Sequence, residues 1–339
     1  MKILAQTLSE LEIGKARTFA GLTVIPLLAS RAARGERPYK TLDEALDDGT
    51  ARVTEVSETG AVPELRFVNQ GDEPILLLDG EEIIGAKQNR ILNLTMLVPA
   101  HETIIIPVSC VEAGRWSPRS THFRSARHVM SPLARRKKAA RVSVAMARGG
   151  APRSDQAEIW ADIEALSVQH AVHSPTSEMH EVYQQRGVQL DEYVGAFPAV
   201  PRQVGAMFAL GDEVRGIEVF DFDDTLRGLL PKVVRSWALD AVLLRGQPHE
   251  VPDRDSARAF LDEVARARAT DHDPVGAGRA VRLFGRRLTG GALVHDERVV
   301  HLCAFRLDEG EGEGEDHGRS RRHSRMARPA RRGRGNPAA

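Results

Sequence analysis

Residues 76–116 read LLLDGEEIIGAKQNRILNLTMLVPAHETIIIPVSCVEAGRW. Short runs of Ile, Leu and Val are cut by Gly, Asn and Pro before any helical period can establish itself. Such a segment must fold as consecutive β-strands. The ends of those strands carry Glu81, Lys87, Gln88, Asn89, Arg90, Cys110, Glu112, Arg115 and Trp116. Strands that bury Ile, Leu and Val do not need these groups for stability, so the segment marks a candidate site.

Residues 91–98 and 103–112 are expected to form a hairpin through Pro99, Ala100, His101 and Glu102. Side chains alternate between the faces of a strand. Leu92, Leu94, Met96 and Val98 share a face that Gln88 and Arg90 extend. Ile104, Ile106 and Val108 share a face that Cys110 and Glu112 extend. Setting Val98 opposite Ile104 puts Leu92 opposite Cys110 and Arg90 opposite Glu112, which predicts an Arg90–Glu112 ion pair. Two readings of that pair stand side by side. It neutralises two partly buried charges, or it belongs to an anion clamp of Lys87, Arg90 and Arg115. The planar guanidinium fork suits phosphate and carboxylate. Trp116 either packs at the rim or stacks on a ligand ring. Cys110 on an apolar face is either a small buried hydrophobe or, beside cationic groups, a nucleophilic thiolate. The residues place no histidine base for it.

Along the chain, TVIPLLAS reads as a strand, TLDEALDDG as a brief helix ending at Gly49, and ARVTEVSETG and ELRFVNQGDEPILLL as strands. Residues 113–154 hold eleven Lys or Arg and no acid. With Gly149, Gly150 and Pro152 they suggest an exposed basic loop over 117–154, which beside Arg115 and Trp116 would act as an electrostatic funnel or as a nucleic-acid surface. Only Trp116 and Phe123 are aromatic there, which gives base stacking little support. A helix is expected over 155–173 and a hairpin turning at Gly211-Asp212. The wide apolar face of DDTLRGLLPKVVRSWALDAVLL predicts a mostly buried helix, with Pro231 kinking it or marking its first turns. Another helix over 254–268 and a strand pair over 281–305 complete an α+β fold with antiparallel sheets. Its N-terminal half is β-rich and its C-terminal half mixes hairpins and helices. One domain is expected over 1–307, with a β-rich lobe at 1–116 and a helix and hairpin lobe at 155–307, followed by a disordered charged tail at 308–339.

The formal net charge is zero, which conceals that tail. Residues 308–316 are acidic and 318–339 carry eight Arg, a pattern that either solubilises the chain or binds a polyanion. The two cysteines, Cys110 and Cys303, exclude a disulfide scaffold. No apolar stretch reaches membrane-spanning length or that of a signal peptide. The expectation is a cytoplasmic protein without membrane contact.

The segment with Gly80, Glu81, Gly85, Lys87, Gln88, Asn89, Arg90, Cys110, Val111, Glu112, Gly114, Arg115 and Trp116 resembles the ARG and rhodanese-phosphatase-superfamily-associated protein family. VGAMFALGDEVRGIEVFD and LLPKVVRSWALDAV resemble it too, so that the likeness spans residues 20–305. The family is named for its association with ADP-ribosylglycohydrolases and rhodanese-type phosphatases. The resemblance implies a role in NAD or ADP-ribose metabolism without supplying a reaction. Glu81, Lys87, Gln88, Arg90, Cys110, Glu112 and Arg115 are the site candidates it carries over.

Three other motifs compete. VFDFDDTL, residues 219–226, copies the first motif of haloacid-dehalogenase-type phosphatases, with Asp221 as nucleophile and Asp223 as acid/base beside Mg²⁺. No later strand ends in the paired acids that metal would need, and Asp223 or Asp224 also suits the cap of the following helix. His170, His173 and His180-Glu181 form a possible metal set without a fourth ligand at motif spacing. Gly276-Ala277-Gly278 lacks the third glycine of a dinucleotide fingerprint, since Val281 stands there. No cofactor and no metal are therefore expected. The leading expectation is a protein that binds, and processes if Glu81 or Glu112 acts as general acid/base, an ADP-ribose-like or nucleotide-derived phosphate ligand. The alternative is a non-catalytic binding or scaffold protein recognising a protein or nucleic-acid partner.

Overall fold

The computed structural model describes residues 2–30 and 35–308. Among them the fold is α+β, built on sheets that are antiparallel except where Lys40–Thr41 runs parallel to Ile75–Leu77. The largest sheet orders its strands Leu11–Ile13, Leu22–Ala29, Gln203–Leu210, Glu213–Phe220, Arg298–Arg306, Leu288–His295, Arg279–Gly285 and Arg268–His272, with Arg17–Phe19 also paired to Leu22–Ala29. Alternation along these strands sends Ile25, Leu27, Met207, Ile217 and Val219 to one face, against Leu4, Leu8, Phe260 and Leu261 of the helices Lys2–Ser9 and Arg254–Arg266. Val24, Ala206, Phe208, Phe220 and Phe305 line the other face, against the helix Asp223–Ala241. Gly216 is where that helix comes closest: a Cβ there would stand 2.7 Å from the Trp237 ring, which stacks on Phe208 at 4.9 Å.

A second sheet runs Phe123–Val129, Glu81–Gly85, Arg90–Leu92, Thr103–Cys110, Glu64–Asn69 and Ala51–Glu55. A third, of Met96–Val98, Ile75–Leu77 and Lys40–Thr41, shares its core. The short helix Leu42–Asp47 starts at a capping box between Thr41 and Glu44.

Several expectations hold: the hairpin at Gly211-Asp212, the helix Gln156–Gln169 and the long buried helix, which keeps Pro231 inside it. The region 281–305 holds three strands rather than two. The first strands do not stay with a lobe at 1–116, because Leu22–Ala29 pairs with Gln203–Leu210. The basic loop at 117–154 is overturned. It folds as the strand Phe123–Val129 and the helix Pro132–Ala147, with Ser131 and Pro132 at the helix start. Acids from elsewhere take up most of its cations, which leaves little support for a funnel. Arg135 pairs with Asp79 and Glu218, Lys138 with Asp79, Lys137 with Asp162 and Arg141 with Glu158. Beyond Asp308, which pairs with Arg215, the charged tail lies outside the described residues. No helix among the described residues is long and apolar enough to cross a membrane.

Candidate functional site

The expected hairpin of 91–98 with 103–112 does not form. Residues 93–95 leave the strand, and Met96–Val98 pairs with Ile75–Leu77 instead. Arg90–Leu92 pairs with the far end of Thr103–Cys110, setting Leu92 opposite Val108 and Arg90 opposite Cys110. The register is two residues from the one expected. Because the strands are antiparallel, the loop before Arg90 and the chain after Cys110 leave the sheet at the same end. That juxtaposition brings Lys87, Gln88, Asn89, Arg90, Cys110, Glu112, Arg115 and Trp116 together.

The predicted Arg90–Glu112 ion pair is therefore absent, and Glu112 pairs closely with Arg115 and more loosely, at 3.5 Å, with Arg119. Arg115 Nε and Nη2 donate to its two oxygens at 2.7 and 2.6 Å, and the Asn89 N–H adds a bond of 3.0 Å. Burial disfavours the charged carboxylate, but these donors outweigh it and hold Glu112 below its ordinary pKa. Arg115 also donates to the Ala86 and Ser117 carbonyls at 2.6 and 2.7 Å. It staples the two loops together, so the Lys87–Arg90–Arg115 clamp is reduced by one member. Asn89 reaches Glu178 at 2.9 Å, and Gln88 donates to the Glu112 carbonyl at 2.8 Å.

Arg90 is different. Its side chain is completely buried, and among the described residues no carboxylate lies within ion-pair distance. Nη1 donates to Gln88 Oε1 and the Asn89 carbonyl at 3.2 and 3.3 Å, while Nε and Nη2 have no partner. Burial lowers its pKa, opposed by Cys110 and Glu55 nearby. Trp116, 47% exposed, lies over both Arg90 and Lys87, at 5.8 and 5.4 Å from its ring centroid. Lys87 Nζ donates to the carbonyls of Glu58 and Thr59 at 2.6 and 2.9 Å. Cys110 is fully buried, and burial pushes its thiol up against the pull of Arg90. Its sulfur contacts Gln88 Oε1 at 3.1 Å, and no histidine joins it.

Glu81 lies apart from this cluster. One oxygen accepts from Lys232 at 2.6 Å and the other from the Leu78 N–H at 2.7 Å. Gln156, which brackets the Cys110 backbone with two hydrogen bonds of 2.8 Å, Glu178 and Glu55 were not legible as site residues. They come from remote segments without a motif.

The competing motifs separate as well. Asp221 follows the antiparallel strand Glu213–Phe220 and is hydrogen-bonded by the Tyr39 hydroxyl. That setting is not the parallel α/β sheet on which the phosphatase motif works. Asp223 and Asp224 occupy the first helical turn, while Phe222 holds the cap position without a side-chain bond. His170 ends the helix Gln156–Gln169 and His173 is exposed. His180 instead faces His128 and Glu82.

No curated protein and no solved structure matches the chain. A family model does, over residues 10–305, and its match takes in the whole sheet that carries Arg90: the chain belongs to the family of the ARG and Rhodanese-Phosphatase-superfamily-associated Protein domain.

Proposed function

We propose that the chain is a binding protein for an ADP-ribose-like or other nucleotide-derived phosphate ligand, with Arg90 as its anion anchor. The observation that carries this reading is the buried Arg90 guanidinium without a carboxylate partner and with two nitrogens unbonded. An uncompensated buried cation costs several kcal/mol, roughly, unless something pairs with it. A phosphate oxygen pair matches the guanidinium fork. Trp116 covers the anchor and is itself half exposed, so it is the natural lid, swinging aside to admit a phosphate and then stacking on the ligand's ring. Lys87, also under Trp116, adds a second positive charge. The family's named association with the ARG superfamily is what supports this ligand class.

Binding fits this site better than turnover. Glu112 and Glu81 spend their oxygens on Arg115 and Lys232, and Cys110 has no base. Calorimetric titration of the full chain with ADP-ribose, repeated with Arg90→Ala, tests the reading. Saturable heat that the variant loses supports it. No heat from the unaltered chain, or equal heat from both, rejects it.

A further inference from the structure

Glu82 is a buried carboxylate that the internal ion pairs leave out. Asp79, Glu81, Glu112 and Glu218 each hold an Arg or Lys. Glu82 has zero exposure, its one side-chain hydrogen bond is with His128 Nε2, and its Oε1 has no hydrogen-bond partner. His180 completes the group, and its buried Nδ1 is unpartnered as well. One ligating atom from each of Glu82, His128 and His180 lies within 4.8 Å of the others.

We infer that Glu82, His128 and His180 form a binding site for a divalent transition-metal ion of the zinc class. Two imidazoles and one carboxylate are donors for such an ion rather than for magnesium or calcium, which take oxygen. Ligands bonded to one zinc at about 2.0–2.1 Å stand roughly 3.3 Å apart, so small side-chain movements close the group around it. The supporting shell is built. Tyr183 stacks on the His128 ring at 3.8 Å and 8°, and its hydroxyl is pinned to the Val129 carbonyl at 2.6 Å. His180 stacks on the same ring at 5.3 Å. His128 and Glu82 come from adjacent strands and His180 from the helix Met179–Gln185. His180 is the partly exposed member, so the open coordination positions face its side.

A second group, Glu218, His301 and Cys303, has similar spacing but is already satisfied: His301 bonds Thr95 and Glu218 through its two nitrogens, and Glu218 holds Arg135. The Glu82 group is also independent of the Arg90 anchor. Glu82 pairs with Ile91 and Ile83 with Arg90, so the two side chains leave opposite faces of the sheet.

The test is titration of the untagged, metal-stripped full chain with Co²⁺, read by its visible absorption and by displacement with Zn²⁺. One ion per chain is expected, with affinity weakened at least about tenfold in His180→Ala and in Glu82→Gln, and unchanged in the exposed-residue control His173→Ala. No uptake by the unaltered chain, or equal uptake by both site variants, overturns the site. Should both variants misfold, X-ray absorption of the zinc-loaded unaltered chain decides: two imidazoles on the metal support it and fewer reject it.

Discussion

Arg90 stands opposite Cys110 across the antiparallel pair, two residues short of Glu112. One register step of this kind separates a neutralised cation from an unpaired one. Had Arg90 faced Glu112, each charge would have consumed the other. Instead Glu112 is spent on Arg115, and Arg90 keeps two free nitrogens.

Replacing Arg90 by Met should leave the unliganded fold as stable as before or raise its melting temperature. A buried cation without a partner is traded for apolar packing, a change that is often neutral or stabilising by about 1–4 kcal/mol. Thermal unfolding without ligand checks it, and a large loss of stability would mean that Arg90 is a structural residue.

Arg115→Met should do the opposite. It leaves Glu112, whose side chain is fully buried, with only the longer Arg119 contact of 3.5 Å and the Asn89 N–H, and releases both loops. The expected loss is about 3–5 kcal/mol in denaturant unfolding, with the free energy partly recovered when Glu112→Gln is added.

Gly276 and Gly246 both adopt a left-handed backbone, but only Gly276 is crowded. A Cβ there would lie 2.3 Å from the Leu97 carbonyl oxygen, beside the Ala277 N–H bond to that same oxygen. Gly246 has nothing within 4 Å. Gly246→Ala should cost about 1 kcal/mol of backbone strain. Gly276→Ala should cost more, since it also pushes apart the contact between that loop and the strand Met96–Val98. Paired denaturation midpoints read the difference.

Burial pushes the Asp240 carboxyl up to about 7, against the pull of its hydrogen bond from the Leu133 N–H. The unfolded chain releases this proton near pH 4, approximately. Between those values the folded form holds more protons, so stability falls as pH rises and levels off above the folded pKa. Asp240→Asn keeps an acceptor for Leu133 and removes this slope. At about pH 8 it should be more stable than the parent by roughly 1–2 kcal/mol, with little advantage at about pH 4.

Both thiols are buried, and burial raises both, Cys303 to about 12. A thiol-directed reagent should label neither cysteine quickly in the native chain and both after denaturation. Fast native labelling of Cys110 would restore it as a nucleophile.

What could be read from the sequence followed local signals. The turn at Gly211-Asp212 and the wide apolar face around Trp237 are written within a few residues, and both formed as expected. Residues 91–98 are almost uniformly apolar, so their alternation does not choose between partners, and the register was lost there. Lys87 to Arg90 and Cys110 to Trp116 were legible as neighbours because two loops carry them, whereas Glu81 lies apart with Lys232. Their pairing was not, since Arg115 and Arg90 offer the same chemistry and only the register distributes the acids. The helix Pro132–Ala147 was missed because its cations looked like a solvated surface. Their partners, Asp79 and Glu218, lie far away in sequence.

The strand Leu22–Ala29 has its long partner in Gln203–Leu210. During synthesis this apolar strand emerges early and must wait for most of the chain before its sheet can close. Its exposed edge is an invitation to pair wrongly in the meantime. A chain wired this way should fold slowly for its size, and a newly made molecule should depend on chaperones until the distant strand arrives.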